Sequence, residues 1–381
     1  MNNLLINIKG ITSYLWLDFH EFIFAYIVFL AVSVGLGFVF IRFWKKESLL
    51  KLLTVNLVLF LFLLVHLLYG LEIYYRYIFD ATDNTLQIKT MQRWIDRHVR
   101  INALSFRNDH FFSDKDPKEL RLAAIGDSYT YGYGIENEND RYSNLLEKRL
   151  SATCAPQGST VKVYNMARPG MNTREELEIL KMAQNYKVDG IILGYTFDDA
   201  RSNRTALHTN ICYNRIFSYR HNPLLNWLLQ KSFALEYLYV RAYNLFNARE
   251  FTQTCWTETF EALYRDPEIW IRHLQELKNL IDYTRENNLG LAVVIFPNIV
   301  DLGEDYSARD IHQNVATFFK ANNIPVIDLL DVYAGLSPDD ILVSRRDFHA
   351  NELGHSLAAE AIYETINPEP WAQCKNQNDE N

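Results

Sequence analysis

LAAIGDSYTYGYGI, residues Leu122 to Ile135, opens with four apolar residues and closes in small, turn-forming ones. A buried strand that breaks at Gly126, Asp127 and Ser128 carries a polar tip past the carboxyl edge of a sheet. In α/β sheets that edge borders the crevice where ligands bind. Ser128 is therefore a candidate nucleophile, and the rest of the chain has to supply its partners.

Downstream the chain alternates strand and helix patterns. Ser143 to Leu150 reads as a helix with an apolar stripe, and Val161 to Ala167 as a second strand, stopped by Pro169 and Gly170. A helix follows, with Thr173 as its cap and a Glu three residues on. Gly190 to Phe197 is a third strand. After a long excursion come a helix from Ile269, a fourth strand from Leu291, a helix from Ile311 and a fifth strand spanning Ile324 to Tyr333. The last helix begins near Asn351. Strands alternating with crossover helices predict a three-layer α/β/α fold around a mainly parallel five-stranded sheet.

Upstream, Phe22 to Ile41 and Leu52 to Leu71 are uncharged stretches of 20 residues each, with Asn56 and His66 the strongly polar members of the second. As helices each spans about 30 Å, the thickness of a bilayer's hydrocarbon core. A cleaved signal peptide needs a basic start and a short apolar run, which Met1 to Glu21 do not provide. Both runs are read as transmembrane helices. The loop between them carries Arg42, Lys45, Lys46 and Lys51 against Glu47. Positive loops stay in the cytoplasm, so everything after Leu71 is expected on the extracytoplasmic side, with Arg76 slightly blunting the asymmetry. This predicts a two-pass protein of the inner membrane with a periplasmic C-terminal domain.

The domain division that follows is a membrane anchor over 1–79, a polar connector over 80–119, the α/β domain over 120–370 and a polar tail over 371–381. A helical insertion is expected at about 200–267. Within it Pro223 opens a helix bearing Leu224, Leu225, Leu228, Leu235, Leu238, Tyr239 and Phe246. The plain reading is a helix packed on the domain; the sharper one is a lid or a membrane-facing surface.

A formal net charge of −8 over 381 residues excludes a nucleic-acid surface, which needs clustered Lys and Arg. The four cysteines, Cys154, Cys212, Cys255 and Cys374, all follow the spans, in a compartment that permits disulfides. Three pairings are possible; one between Cys212 and Cys255 would staple the base of the insertion. None has metal-ligand spacing, so no metal and no cofactor are expected.

Serine hydrolysis needs a base and a carboxylate to orient it. In SRRDFHANELGHSLAAEAI, Asp347 and His349 stand two apart before the last helix, at the same sheet edge as Ser128. Two apart in an extended segment, they face the same side. GHSLA, Gly354 to Ala358, nearly matches a nucleophile elbow, but Ala358 replaces the final glycine and no strand precedes it. His355 and Ser356 are read as helix residues, and His110, His208, His221, His273 and His312 as ordinary polar residues.

These blocks resemble those of the SGNH, or GDSL-type, esterase and lipase family, in particular membrane-attached bacterial members. Gly126, Asp127 and Ser128 match its first block, Gly170 in NMARPGMNT the second, and Asp347 and His349 the last. INALSFRNDH upstream is similar to the lead-in of the membrane-attached members. The resemblance spans roughly Asn102 to Ile366. It implies that Ser128 attacks an ester carbonyl, that His349 relays its proton and Asp347 orients the ring, and that the N–H groups of Ser128 and Gly170 face the oxyanion.

The chain departs from the family where GYTFDDA puts Asp198 in the place of an oxyanion-binding Asn. An ionised carboxylate cannot donate a hydrogen bond. Either Asp198 is held protonated, or Asn172 donates instead, or the site is weakened or specialised.

By family analogy the expected function is a membrane-anchored extracytoplasmic esterase removing O-acyl, especially O-acetyl, groups from a cell-envelope glycan or lipid-linked sugar. Envelope-biosynthesis proteins would be its partners. The alternatives are an O-acyltransferase using the same triad and a non-catalytic glycan-binding or scaffold subunit.

Overall fold

The computed structural model describes residues 2–43, 49–82, 88–108, 114–201, 217–249 and 259–375. They cluster into two compact units.

The first unit comprises the described residues of Met1–Asp80, Ile88–Thr90 and Ser218–Tyr243. Its long helices are α1 (Asn2–Phe43) and α2 (Leu49–Ile73). Two stretches, Phe22–Val39 and Leu49–Ile78, are long and apolar enough to cross a bilayer, and none of their most apolar windows is buried by protein. The helices pair through rings: Tyr26 lies 4.7 Å from Tyr69 and Phe22 4.9 Å from Tyr69, centroid to centroid. His66 satisfies one ring nitrogen on its own helix, Nδ1 lying 2.7 Å from the Phe62 carbonyl. The connecting residues Lys45, Lys46 and Glu47 lie outside the described residues.

The unit also holds α6 (Pro223–Lys231) and most of α7 (Phe233–Arg249). Asn222 caps the first, accepting from the Leu225 N–H at 3.1 Å, with Pro223 in the first turn, where its missing donor costs nothing.

The second unit comprises Ala81–Gln87, Met91–Phe217 and Asn244–Asn381, as far as these are described. Its longer helices are α3 (Lys89–His98), which it shares with the first unit, α4 (Tyr142–Cys154), α5 (Thr173–Gln184), α8 (Pro267–Glu286), α9 (Arg309–Ala321) and α10 (Glu352–Ile366). Five parallel strands, β1 (Glu119–Gly126), β2 (Thr160–Asn165), β3 (Gly190–Tyr195), β4 (Gly290–Ile295) and β5 (Val326–Asp328), stand in the order β2-β1-β3-β4-β5. A separate antiparallel pair joins β6 (Leu342–Ser344) to β7 (Asp347–Ala350).

Strand periodicity builds two cores. On β1, Ala123 and Ile125 face a cluster with Leu180 of α5, Leu277 of α8 and Phe319 of α9, while Leu122 and Ala124 face one with Leu146 of α4 and Ile362 of α10. Both faces of the sheet are covered, so the strands read as continuous apolar runs. This is the three-layer arrangement expected from the alternation.

Two local expectations are corrected. The fifth strand ends at Asp328, because its carboxylate accepts from the Leu330 N–H at 3.0 Å and starts a helical turn over Leu329–Val332. The cap of α5 is Asn172 rather than Thr173: its side chain accepts from the Arg174 and Glu175 N–H groups and Glu175 closes the capping box.

Cys154 and Cys374 form a disulfide across a separation of 220 residues, tying the end of α4 to the C-terminal segment. Cys212 and Cys255 lie outside the described residues. Closing so long a loop restricts the unfolded chain, and replacing both cysteines by Ala is expected to cost about 2–5 kcal/mol. Calorimetry should show a lower melting temperature in the variant, and reductant should lower that of the native protein by more than that of the variant; unchanged melting on both counts would show the bridge to be dispensable.

Candidate active site

β1 ends at Gly126, and Asp127 caps the single helical turn Ser128–Tyr131 that follows. One carboxylate oxygen accepts from the Tyr129 N–H at 2.9 Å, the other from the Thr196 hydroxyl at 2.9 Å. Asp127 thus clasps the loops after β1 and β3, which holds Ser128 in place. Burial, then the neighbouring Asp198, pushes its pKa up to about 6 against the pull of those two hydrogen bonds.

Asp347 and His349 lie on β7, where the two-residue period sets both side chains on one face. His349 Nδ1 is 2.5 Å from Asp347 Oδ1, and His349 Nε2 is 2.7 Å from Ser128 Oγ. A carboxylate accepts only, so the ring proton belongs on Nδ1 and leaves Nε2 to accept from the serine hydroxyl. Asp347 is fully buried. Burial by itself would raise its pKa, but His349 beside it outweighs that and holds it below the ordinary carboxylate range.

The chain makes room for that carboxylate at Gly134. Its φ is +86°, and a Cβ there would stand 3.2 Å from Asp347 Oδ2 and 2.4 Å from Val343. The rings of Tyr129 and Tyr133 each lie 4.9 Å from the His349 ring, and the Tyr129 hydroxyl donates to the Phe348 carbonyl at 3.1 Å. These contacts fix the imidazole's orientation.

The other expected site residues follow β2 and β3. Arg168 to Met171 form a turn closed by the Met171 N–H on the Arg168 carbonyl at 3.4 Å, with Gly170 at φ +77°, the conformation a type II turn demands after Pro169. The Arg201 guanidinium donates to the Gly170 carbonyl and stands 3.4 Å from Asp198 Oδ2. Arg201 therefore links the Gly170 turn to Asp198.

Asp198 Oδ1 is buried with no hydrogen-bond partner among the described residues. Burial raises the Asp198 pKa, while Arg201 and His349 oppose the rise. Asp199 and Glu176 are fully buried close by; burial, then repulsion by Glu176 for Asp199 and by Asp127 for Glu176, pushes both well above the carboxylate range. Asn172 has its amide oxygen committed to the α5 cap, at 3.1 Å and 3.3 Å from two backbone N–H groups.

Other histidines are structural. His355, in α10, accepts from the Tyr142 N–H at 3.2 Å, and burial, then Arg141, lowers its pKa to about 3, so it stays neutral. His273 and His312, expected as ordinary polar residues, are fully buried: His273 pairs with the Tyr195 hydroxyl at 2.8 Å, and His312 with Asp328 at 2.8 Å. His110 and His208 lie outside the described residues. Among the described residues no group of three or more His, Cys, Asp or Glu could hold a metal ion.

Arg201 and Thr196 touch candidate-site residues without being singled out by the sequence. An Arg three residues after Asp198 and a Thr after a strand carry no signal of their own; only their contacts distinguish them.

The model of the GDSL-like lipase/acylhydrolase family matches residues 124–357. Among solved structures, an extracellular lipase from Streptomyces rimosus is similar at 16% identity and a TM-score of 0.41, over 65% of this chain and 99% of that one. An acetylxylan esterase from Geobacillus stearothermophilus is similar at 16% identity and a TM-score of 0.37, over 67% and 96%. A psychrotrophic esterase from Pseudoalteromonas sp. is similar at 14% identity and a TM-score of 0.37, over 65% and 97%. No curated protein matches the chain in sequence.

Proposed function

We propose, from the premise that this chain belongs to the GDSL-like lipase/acylhydrolase family, that Ser128, His349 and Asp347 are its catalytic triad. The chain is a carboxylic ester hydrolase; the proposed substrate is an O-acylated, above all O-acetylated, cell-envelope glycan or lipid-linked sugar. One observation carries the triad: the continuous relay from Ser128 Oγ through the His349 ring to a fully buried Asp347, at 2.7 and 2.5 Å.

In that reading Ser128 Oγ attacks the acyl carbon while His349 Nε2 takes the hydroxyl proton. The tetrahedral oxyanion collapses, the C–O bond to the sugar breaks, and His349 protonates the departing alcohol. Water then attacks the acyl-serine by the same relay and releases the acid. Asp347 stabilises the imidazolium formed in each half. The N–H groups of Ser128 and Gly170 face the oxyanion, each donor worth about 3 kcal/mol of barrier.

Asp198 then acts as the third donor only when protonated, which its raised pKa favours. A raised carboxyl pKa keeps the neutral form to higher pH, so wild-type kcat should fall as Asp198 ionises. Asp198→Asn supplies a permanent donor and should flatten that fall, raising kcat above neutral pH by about 10–100-fold. The pH profiles of the two proteins on p-nitrophenyl acetate decide it; a variant that is slower at every pH would remove Asp198 from the oxyanion site.

The anchoring part of the proposal is a two-pass inner-membrane protein with its hydrolase domain, 120–370, in the periplasm. It is supported by the two apolar helices and by a disulfide that an oxidising compartment would preserve. Labelling of the full-length protein by a serine-directed fluorophosphonate tests the site. Labelling that depends on Ser128 supports the hydrolase, whereas a folded protein that never labels points to a non-catalytic glycan-binding subunit.

A further inference from the structure

We infer that α6 and the first half of α7 form a platform lying in the headgroup region of the bilayer, its partner being the lipid surface itself. The inference rests on the reading that the second apolar stretch spans the membrane.

That stretch, Leu49–Ile78, holds 30 residues. As a helix it is about 45 Å long, whereas the hydrocarbon core is about 30 Å thick, so its last turns emerge at the membrane surface. Those turns carry Glu72, Tyr74, Tyr75, Arg76 and Tyr77. Charged and tyrosine side chains are what the membrane–water boundary selects.

The same turns hold the two insertion helices. Glu72 accepts from the Ser232 hydroxyl at 2.6 Å and from the N–H groups of Phe233 and Ala234 at 3.0 Å each, satisfying the first donors of α7. Arg76 donates to the Lys231 carbonyl at 2.7 Å, where α6 ends, and to Glu72 at 2.9 Å. Tyr237 stacks on Tyr75 at 4.5 Å, and Glu236 accepts from the Lys89 N–H at 2.9 Å. The elbow between α6 and α7 is therefore pinned at the depth of Glu72, within one compact unit.

Both helices carry large apolar side chains on their exposed faces as well as on their buried ones. α7 turns Ala234, Glu236, Tyr237 and Val240 inward and leaves Leu235 and Leu238 exposed. On α6, Leu224 is 68% and Trp227 56% exposed, with Leu228 beside them. Helical spacing of three and four puts Leu224, Trp227 and Leu228 on one face. A soluble partner has no reason to meet this face at a fixed membrane depth. A bilayer does, and an apolar helical face with a tryptophan is how helices lie in the interface.

The test uses the full-length protein in phosphatidylcholine vesicles containing lipid brominated near the headgroup end of the acyl chain, a short-range quencher of tryptophan. The emission lost in Trp227→Phe, taken as the difference from wild type, belongs to Trp227, and it should be quenched about twofold or more by the brominated lipid. Phe60→Trp, in mid-span at an exposed position, is the control, read with lipid brominated near the chain end. Quenching at both positions supports the platform. An unquenched Trp227 with a quenched Phe60→Trp overturns the platform and leaves the anchor standing; no quenching at either overturns both.

Discussion

Ser128→Ala is expected to lower kcat on p-nitrophenyl acetate by about 10⁴-fold or more while leaving the melting temperature within a degree or two. In the proposed mechanism the large effect follows from Ser128's place in the relay: with Oγ gone, His349 Nε2 has no hydroxyl to deprotonate and no acyl-serine forms. The small stability effect follows from position, since Ser128 sits at the first residue of a short turn whose cap is Asp127. Residual activity should match the acceleration that oxyanion binding gives alone. A loss of less than tenfold, with fluorophosphonate labelling retained, would assign the nucleophile elsewhere.

Asp347→Asn should cost about 10⁴-fold in kcat without disturbing the fold. The substitution is isosteric, but an amide turned toward His349 donates where the carboxylate accepted. The ring proton then moves from Nδ1 to Nε2, the nitrogen 2.7 Å from Ser128 Oγ, which can no longer take the serine's proton. Removing a buried charge that His349 stabilises also changes the pH dependence. Because the Asp347 pKa is lowered in the folded protein, the hydrogen-bonded carboxylate contributes stability above the ordinary carboxylate pKa and loses it as pH falls through the folded value. Asp347→Asn should therefore melt with a flatter acid limb. Steady-state kinetics with a melting series in acid checks both halves; unchanged kcat would reduce Asp347 to a buried structural carboxylate.

Much of the candidate site was legible because the juxtapositions that build it are local. Gly126-Asp127-Ser128 after an apolar strand, and Asp347 two residues before His349, rest on the end of a strand and on the two-residue period of another. Neither needs knowledge of distant contacts. Capping was harder. Asn172 and Thr173 are both good caps, and the choice depended on which one Glu175 or Glu176 reached. The run Ile324 to Tyr333 reads as one strand, yet Asp328 captures the Leu330 N–H and starts a helical turn within it.

What lay beyond reading were pairings across space. Arg201 meets the carbonyl of Gly170 from 31 positions away, and Glu72 caps a helix 160 residues later. An isolated Arg or Glu gives no sign of which backbone group it will satisfy, since that depends on how loops of independent conformation converge. The insertion's helices could be read from their apolar spacing, but which of their faces is buried could not.

From its residues alone, this chain declares a parallel α/β sheet, two apolar spans and a serine with its histidine and aspartate, because periodicity, turn chemistry and short spacing are properties of neighbouring residues. Only the tertiary structure decided that Asp198 is half-buried beside Arg201, that Cys154 pairs with Cys374, and that α6 and α7 are held by Glu72 and Arg76. Burial, charge pairing and disulfide choice depend on distances between segments far apart in the chain, and those distances exist only once the chain has folded.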